Sequence, residues 1–409
     1  MTGDSGRWVE VTSSQFAHEA DGLDLVRHLL PDETPYRAWS NFEFRDAHGR
    51  WHEIDLLVLG RDGFHLVELK YYSGTIRGND LTWLRDGHRA EDSPLKLARR
   101  KAQYFASKLK DEYLAWVREK RIAGAAPANE VIPWVQESVF LHHERVRVDL
   151  PDSAKRDLYG LDDFETTSGL PGISTLLTRP SGPGRPIGPN TEAILVALLA
   201  RIGLVQRRER EAGSWVLEGG AIAEGDGWQD WLATHKVSQT ERRRIRFQTL
   251  PSGASAAERH RVRQLAEHEY RTLRRLTHQG VLRPDDLVEC DLGIGLVYPY
   301  DPDQQPLDLW LADRPGGVPL ETQLAIVRQV GDALSYAHSN RLVHRGLSPR
   351  AVLVSDKNGR LRVVVADWQS VGAVAAAGTP TAGVTALFGT DAATPTPDGE
   401  LASGGVRRS

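Results

Sequence analysis

The chain has one cysteine, Cys290, so it can form no internal disulfide and suits a reducing compartment. No apolar run approaches the roughly 18 residues that a membrane-crossing helix needs, and the opening MTGDSGRWVE holds no apolar core of signal-peptide length. A cytoplasmic location without membrane attachment is the expectation. There is no excess of positive charge: 51 Lys and Arg stand against 55 Asp and Glu, a net charge of −4. Contact with a polyanion would need a local patch. Lysine is scarce, with nine among the 51 bases, so its absence from a position that needs one is easy to detect. What is present, 40% hydrophobic and 26% charged residues in 409, is a soluble globular composition. That length exceeds one ordinary core, and two or three domains are expected.

The most informative stretch is 51–76, WHEIDLLVLGRDGFHLVELKYYSGTI. Two apolar runs, 54–59 and 64–69, flank Gly60-Arg61-Asp62-Gly63, which reads as a β-hairpin. If Leu59 pairs with Phe64, the same register sets Asp55 opposite Glu68 and Glu53 opposite Lys70, on one sheet face. Opposed Cβ atoms lie about 4.5–5.5 Å apart, and like charges there destabilise the sheet. A hard divalent cation would offset the repulsion, and Lys70 beside it would orient water or stabilise developing negative charge. The alternative is an exposed strand face carrying a surface ion pair.

The pattern Asp55, Glu68-Leu69-Lys70, with Glu53-Ile54-Asp55, Gly63–Lys70 and Ser73–Ile76 around it, resembles the PD-(D/E)-x-K nuclease core and, more closely, the nuclease-related (NERD) domain. The resemblance implies an α/β (α+β) fold of restriction-endonuclease type, a mixed sheet flanked by helices. It also implies Asp55 and Glu68 as ligands of Mg²⁺ or Mn²⁺, Lys70 as the catalytic lysine, and DNA as partner.

Around the hairpin, 15–30 reads as an amphipathic helix broken or kinked near Gly22, carrying Glu19 as either an extra acid at the site or a solvated residue. Residues 94–121 read as a long helix opened by Pro94. Its nine bases against three acids either contact phosphates or form a solvated face. Gln103 and Lys101 stand where the NERD pattern often has a polar residue. The first domain is expected over 1–150. Residues 151–213 read as a Gly/Pro/Ser-rich linker and a bridging helix, 191–204, capped by Asn190.

From 214 to 370 the order of signals resembles a protein-kinase domain: Gly225 and Gly227 in a glycine turn, the strand 244–250, the helix 256–276, His344-Arg345-Gly346 and Asp367-Trp368-Gln369. What carries over is mostly loss. Gly346 stands for the aspartate that accepts the substrate proton, Ala351 for the second metal-binding asparagine, Ser348 for a lysine and Gln248 for the phosphate-binding lysine. Glu269 matches the helix glutamate, with its ion-pair partner missing. The expectation is a pseudokinase-like module, with weak ATP binding through Gly225, Gly227 and Asp367 at most. The Ala/Gly/Thr/Pro-rich stretch 371–409 has a disordered composition and leaves the kinase-like domain incomplete.

Together, phrases such as EIDLLVLG, DGWQDWLATH and HRGLSPRAVLV resemble the amino-terminal part of the PglW family, the large serine/threonine-kinase-type proteins of phage growth limitation and type 2 BREX defence. The family implies bacterial phage defence with other defence proteins as partners. Three readings follow: a metal-dependent DNase regulated by its kinase-like half, a non-catalytic DNA- or partner-binding scaffold, and a working kinase that these losses disfavour.

Overall fold

A computed structural model describes residues 6–14, 16–178, 186–251, 253–357 and 359–368. Gln369 and the stretch 371–409 lie outside them.

The first half is built on a mixed sheet. β1 (Trp8–Glu10), α1 (Ala17–Leu29), β2 (Arg37–Arg45), β3 (Trp51–Leu59) and β4 (Gly63–Lys70) come first. β5 (Gly74–Gly78), β6 (Thr82–Arg85) and β7 (Glu91–Asp92) form a side sheet ahead of α2 (Pro94–Lys120). β8 (Trp134–Leu141) then pairs parallel with β4. Parallel neighbours need a crossover, and α2 supplies it. β9 (Val146–Asp149) joins the side sheet, and β10 (Leu158–Tyr159) extends the main one. α3 (Pro189–Ile202) follows, and β11 (Val205–Gln206) pairs antiparallel with β2.

Both sheet faces are buried, as strands with apolar residues on both faces require. Leu57, Leu59, Phe64 and Leu66 pack with Ala98, Phe105 and Leu109 of α2 and Leu195 and Leu199 of α3. Leu56, Val58, Val67 and Leu69 pack with Leu23 and Val26 of α1. Phe105 is central: its ring lies 5.2 Å from Phe44, 6.3 Å from Phe64 and 6.4 Å from Phe42.

Four expectations change. The first fold does not end near 150, because β10, α3 and β11 complete its sheet and core. α3 is preceded by Gly188 rather than capped by Asn190, since Pro189 suits the first helical turn. α1 is unbroken at Gly22; glycine is needed there because a Cβ would lie 2.9 Å from the His142 ring. The hairpin pairs Leu59 with Phe64 and continues to Leu56 with Val67, where the ladder stops. Asp55 is therefore not the ladder partner of Glu68: its carboxylate accepts the Leu69 N–H at 2.9 Å.

In the second half, β12 (Glu211–Ala212), β13 (Trp215–Gly225), β14 (Trp228–His235), β15 (Arg242–Gln248), β16 (Asp286–Cys290) and β17 (Gly293–Pro299) form an antiparallel sheet. α4 (Ala256–Arg274) starts with a capping box between Ser255 and Glu258 and lays Ala266 against Leu296 and Tyr298. β18 (Gln305–Pro306), α5 (Leu320–Ser339), β19 (Val352–Lys357) and β20 (Arg360–Val365) complete the described part.

The halves meet along β3 and the β13–β14 hairpin. Gln229 bridges the Trp51 N–H and carbonyl, at 3.0 and 2.9 Å. Arg210 grips both Glu43 oxygens at 2.7 and 2.6 Å and lies over Trp51 and Trp231. Gly49, at φ +84°, must be glycine, since a Cβ would collide with the Leu250 carbonyl. Arg210→Ala strands the buried Glu43 carboxylate, and chemical denaturation should show a loss of about 3–5 kcal/mol.

Candidate functional site

Where β3 and β4 diverge, four acids and three bases gather. The chain brings in the last of them by a tight reversal. α3 ends on Gly203, left-handed at φ +71°, β11 pairs with β2, and the Arg207 N–H donates to Thr12 Oγ1 at 2.8 Å. That fixes Arg207 over the gap. Its guanidinium meets Glu19 at 3.1 Å, Glu53 at 2.5 Å and Asp55 at 2.7 Å. Next to it, Glu68 takes Lys70 on one oxygen at 3.1 Å and Lys101 of α2 on the other at 2.8 Å.

The electrostatics follow from burial. Glu68 is buried, which alone would raise its pKa, but Lys101 and Lys70 outweigh that and hold it well below the usual carboxylate range. Lys70 is raised: burial opposes its charge, and Glu68 and Asp55 more than offset it. It therefore stays protonated and suits charge stabilisation, not proton abstraction. Glu19 and Glu53 are raised, chiefly by burial, even with Arg207 against them. Four carboxyl groups thus face three cations in a partly dry site.

Among the described residues, no group of three or more His, Cys, Asp or Glu forms a ready metal cage. The donors are nonetheless the hard oxygens that Mg²⁺ or Mn²⁺ takes, and a cation, Arg207, already stands among Glu19, Glu53 and Asp55. In this arrangement the guanidinium is the cation that these three carboxylates share. Sequence reading identified Asp55, Glu68 and Lys70, considered Glu19 and named Lys101; it missed Arg207. No local motif marks Arg207, which reaches the site only because β11 returns to β2. Gln103 is exposed. Of the basic helix, Lys96, Arg99 and Lys101 pair with Asp92, Glu137 and Glu68 within the chain.

The kinase-type constellation is a second cluster. Here the strand cation is Arg246, not absent as the reading of Gln248 implied. Arg246 lies two residues earlier on β15, on the same face, and is buried. It donates to both Asp230 oxygens at 2.5 and 2.6 Å, reaches Asp367 at 2.9 Å and stacks 3.9 Å over Trp228. Glu269 thus has a cation in its surroundings, but one already matched by two aspartates. Burial lifts the Glu269 carboxyl to about 7 against the pull of Arg246, and Asp367 adds to the rise. Asp367 is lowered, because Arg246 and Arg244 outweigh its burial. The buried His344 ring contacts the Ala366 carbonyl at 2.6 Å, and Arg345 leads into Gly346 at φ +61°. Gly225 and Gly227 form the β13–β14 turn, whose Gly225 carbonyl accepts from Arg50 of the first half at 3.1 Å. Both ends of this constellation are therefore held by the chain itself.

Comparison with known proteins fits this division. Residues 14–141 match the family model described as nuclease-related domain, and residues 231–371 match that of protein tyrosine and serine/threonine kinase. "Probable kinase PglW" of Streptomyces coelicolor is 31% identical over 385 residues, 89% of this chain and 23% of that protein. The serine/threonine-protein kinase PknI of Mycobacterium tuberculosis is 35% identical over 104 residues, 25% of this chain and 18% of that protein. The crystal structure of the PknI kinase domain superposes with a TM-score of 0.32 at 24% identity, covering 40% of this chain and 62% of that one. The chain thus spans under a quarter of each of these two curated relatives.

Two outcomes follow. Arg207→Ala, in chelator, leaves three carboxylates without their shared cation and should lower unfolding free energy by about 3 kcal/mol or more. Glu269 carries a folded-state pKa near 7 against an ordinary 4.5. The folded state alone keeps that proton between these values, so its contribution is full below pH 4.5 and is lost as pH rises through 7. Relative to Glu269→Gln, the wild type should lose roughly 3 kcal/mol across that window in denaturant titrations, an order-of-magnitude figure at ~1.4 kcal/mol per pK unit.

Proposed function

We propose, from the premise that this chain joins a nuclease-related domain to a protein-kinase-type domain, that it is a PglW-like phage-defence protein. In this reading its first half is a divalent-metal-dependent DNase held shut by Arg207, and its second half is a regulatory body without phosphoryl transfer. One observation carries the reading: Arg207 occupies the gap between β3 and β4 as an internal cation on Glu19, Glu53 and Asp55. A surface ion pair needs no such convergence, and half-buried acids in excess of their cations are costly to keep without a purpose.

With Arg207 withdrawn, Asp55 and Glu68 would hold Mg²⁺ or Mn²⁺, with Glu53 and Glu19 beside them. The ion, when bound, would activate water and neutralise the phosphodiester. Lys70, charged and anchored by Glu68, would stabilise negative charge developing on the phosphate. Lys101 would keep Glu68 ionised and oriented.

The kinase-type half supports a regulatory reading. Gly346 and Ala351 carry no base and no metal ligand, and the charge of Arg246 is spent on Asp230 and Asp367 instead of phosphates. Its strand β13 also approaches the other site: a Cβ on Gly220 would lie 3.2 Å from Glu53 Oε2. The relatives that match this half are kinases by name, and ATP with Mg²⁺ would be their general requirement. Weak nucleotide binding at Asp367 would here act on the hairpin between the halves. The second reading, a scaffold that binds DNA or defence partners without cleaving, is favoured by the closed state itself.

End-labelled DNA with Mg²⁺ or Mn²⁺ separates the two. Arg207→Ala should cleave at least tenfold faster than wild type, and adding Asp55→Ala or Lys70→Ala should abolish the gain. A folded Arg207→Ala protein that binds DNA without cleaving it, with Asp55→Ala making no difference, establishes the scaffold reading instead.

A further inference from the structure

On the rim of the acidic site stands a row of rings that the chemistry above does not use. Phe16 stacks on His18 at 5.5 Å and 11° between planes, and His18 on Tyr71 at 4.8 Å and 7°. Tyr71 in turn meets His143 at 4.5 Å and His142 at 5.3 Å. Tyr71 directly follows Lys70, and His18 directly precedes Glu19, so the row borders the cluster on both its β4 and α1 sides. The outer rings face solvent: Phe16 is 60% exposed and Tyr71 48%.

Two ordinary explanations do not account for it. A buried core would hide these faces, yet three rings sit in near-parallel alignment in the open. A metal site would turn the histidine nitrogens onto one point. Among the described residues no such group exists; the three histidines surround Tyr71 by their ring contacts. His142 is held low, to about 4, first by burial and then by its charged neighbours. It lies buried behind the exposed rings. Exposed parallel aromatic rings beside a phosphate-handling centre are the arrangement that unpaired bases stack on.

We propose that Phe16, His18 and Tyr71 form a stacking platform for an unpaired base next to the scissile phosphate, so that the preferred substrate is single-stranded or frayed DNA. This rests on the nuclease reading for the word substrate, but the binding stands without cleavage. A base that joins this stack, whose Phe16 end is the most exposed, would bring its own phosphate to the Lys70 side of the gap, whereas a fully paired duplex keeps its bases stacked on each other and cannot use the rings.

The test is therefore a binding measurement in chelator, where nothing is cut. An oligonucleotide carrying 2-aminopurine, whose fluorescence falls on stacking, is titrated with the wild-type chain as a single strand and as a blunt duplex. The single strand should bind at least tenfold more tightly, with quenching. Tyr71→Ala should weaken it by about tenfold and restore fluorescence, His18→Ala should do so less, and Tyr71→Phe should keep both. Unchanged melting temperatures in all three variants assign the loss to the surface. Equal affinity for strand and duplex, or an unaffected Tyr71→Ala, overturns the platform. If strands bind by stacking but are never cleaved in metal by any variant, the platform stands and the nuclease reading falls.

Discussion

The structure depends on charge neutralisation in places that water barely reaches. In the first half, Glu19, Glu53, Asp55 and Glu68 share a gap in a sheet with Lys70, Lys101 and Arg207 among the described residues to balance them. In the second, Arg246 balances Asp230 and Asp367, while Glu269 is left to keep its proton. Desolvated carboxylates are unfavourable unless paired, so the chain must bring an arginine to each cluster. The two arginines arrive differently. Arg246 is built into a central strand and has little freedom to leave. Arg207 follows a two-residue strand, between a helix end and the entry to the second half.

That difference underlies the roles we propose for the halves. In that proposal Arg246, locked in a strand and held by Asp230 and Asp367, is a structural pin. In the same proposal Arg207, on a short connector, is the removable occupant. The connector continues through Arg210, whose grip on Glu43 holds the two folds together. Movement of the β13–β14 hairpin, anchored on Arg50 and Trp51, would therefore be felt at the acidic gap.

Much of this was legible in the sequence. The glycine turn between two apolar runs fixed the hairpin register from Leu59–Phe64 to Leu56–Val67, and alternation placed Glu68 and Lys70 together. Pro94 and the spacing after it gave α2 to within one residue. Two things were not legible. Local pairing rules do not foresee a side chain that replaces a ladder bond, as Asp55 does toward Leu69. Nor does any local pattern say that residues 205–206 return to β2, so the first domain was drawn too short and Arg207 was missed. Searching β15 for a lysine alone concealed Arg246, which has the same charge and the same strand face two residues away.

The central claim is that Arg207 and a divalent ion compete for one set of carboxylates. Electron paramagnetic resonance of Mn²⁺ counts bound ions directly, without substrate or turnover. The account predicts one protected Mn²⁺ per chain in folded Arg207→Ala, at least tenfold weaker binding in the wild type, and none once Asp55→Asn is added. Equal Mn²⁺ binding with and without Arg207, or none in either protein, would contradict it.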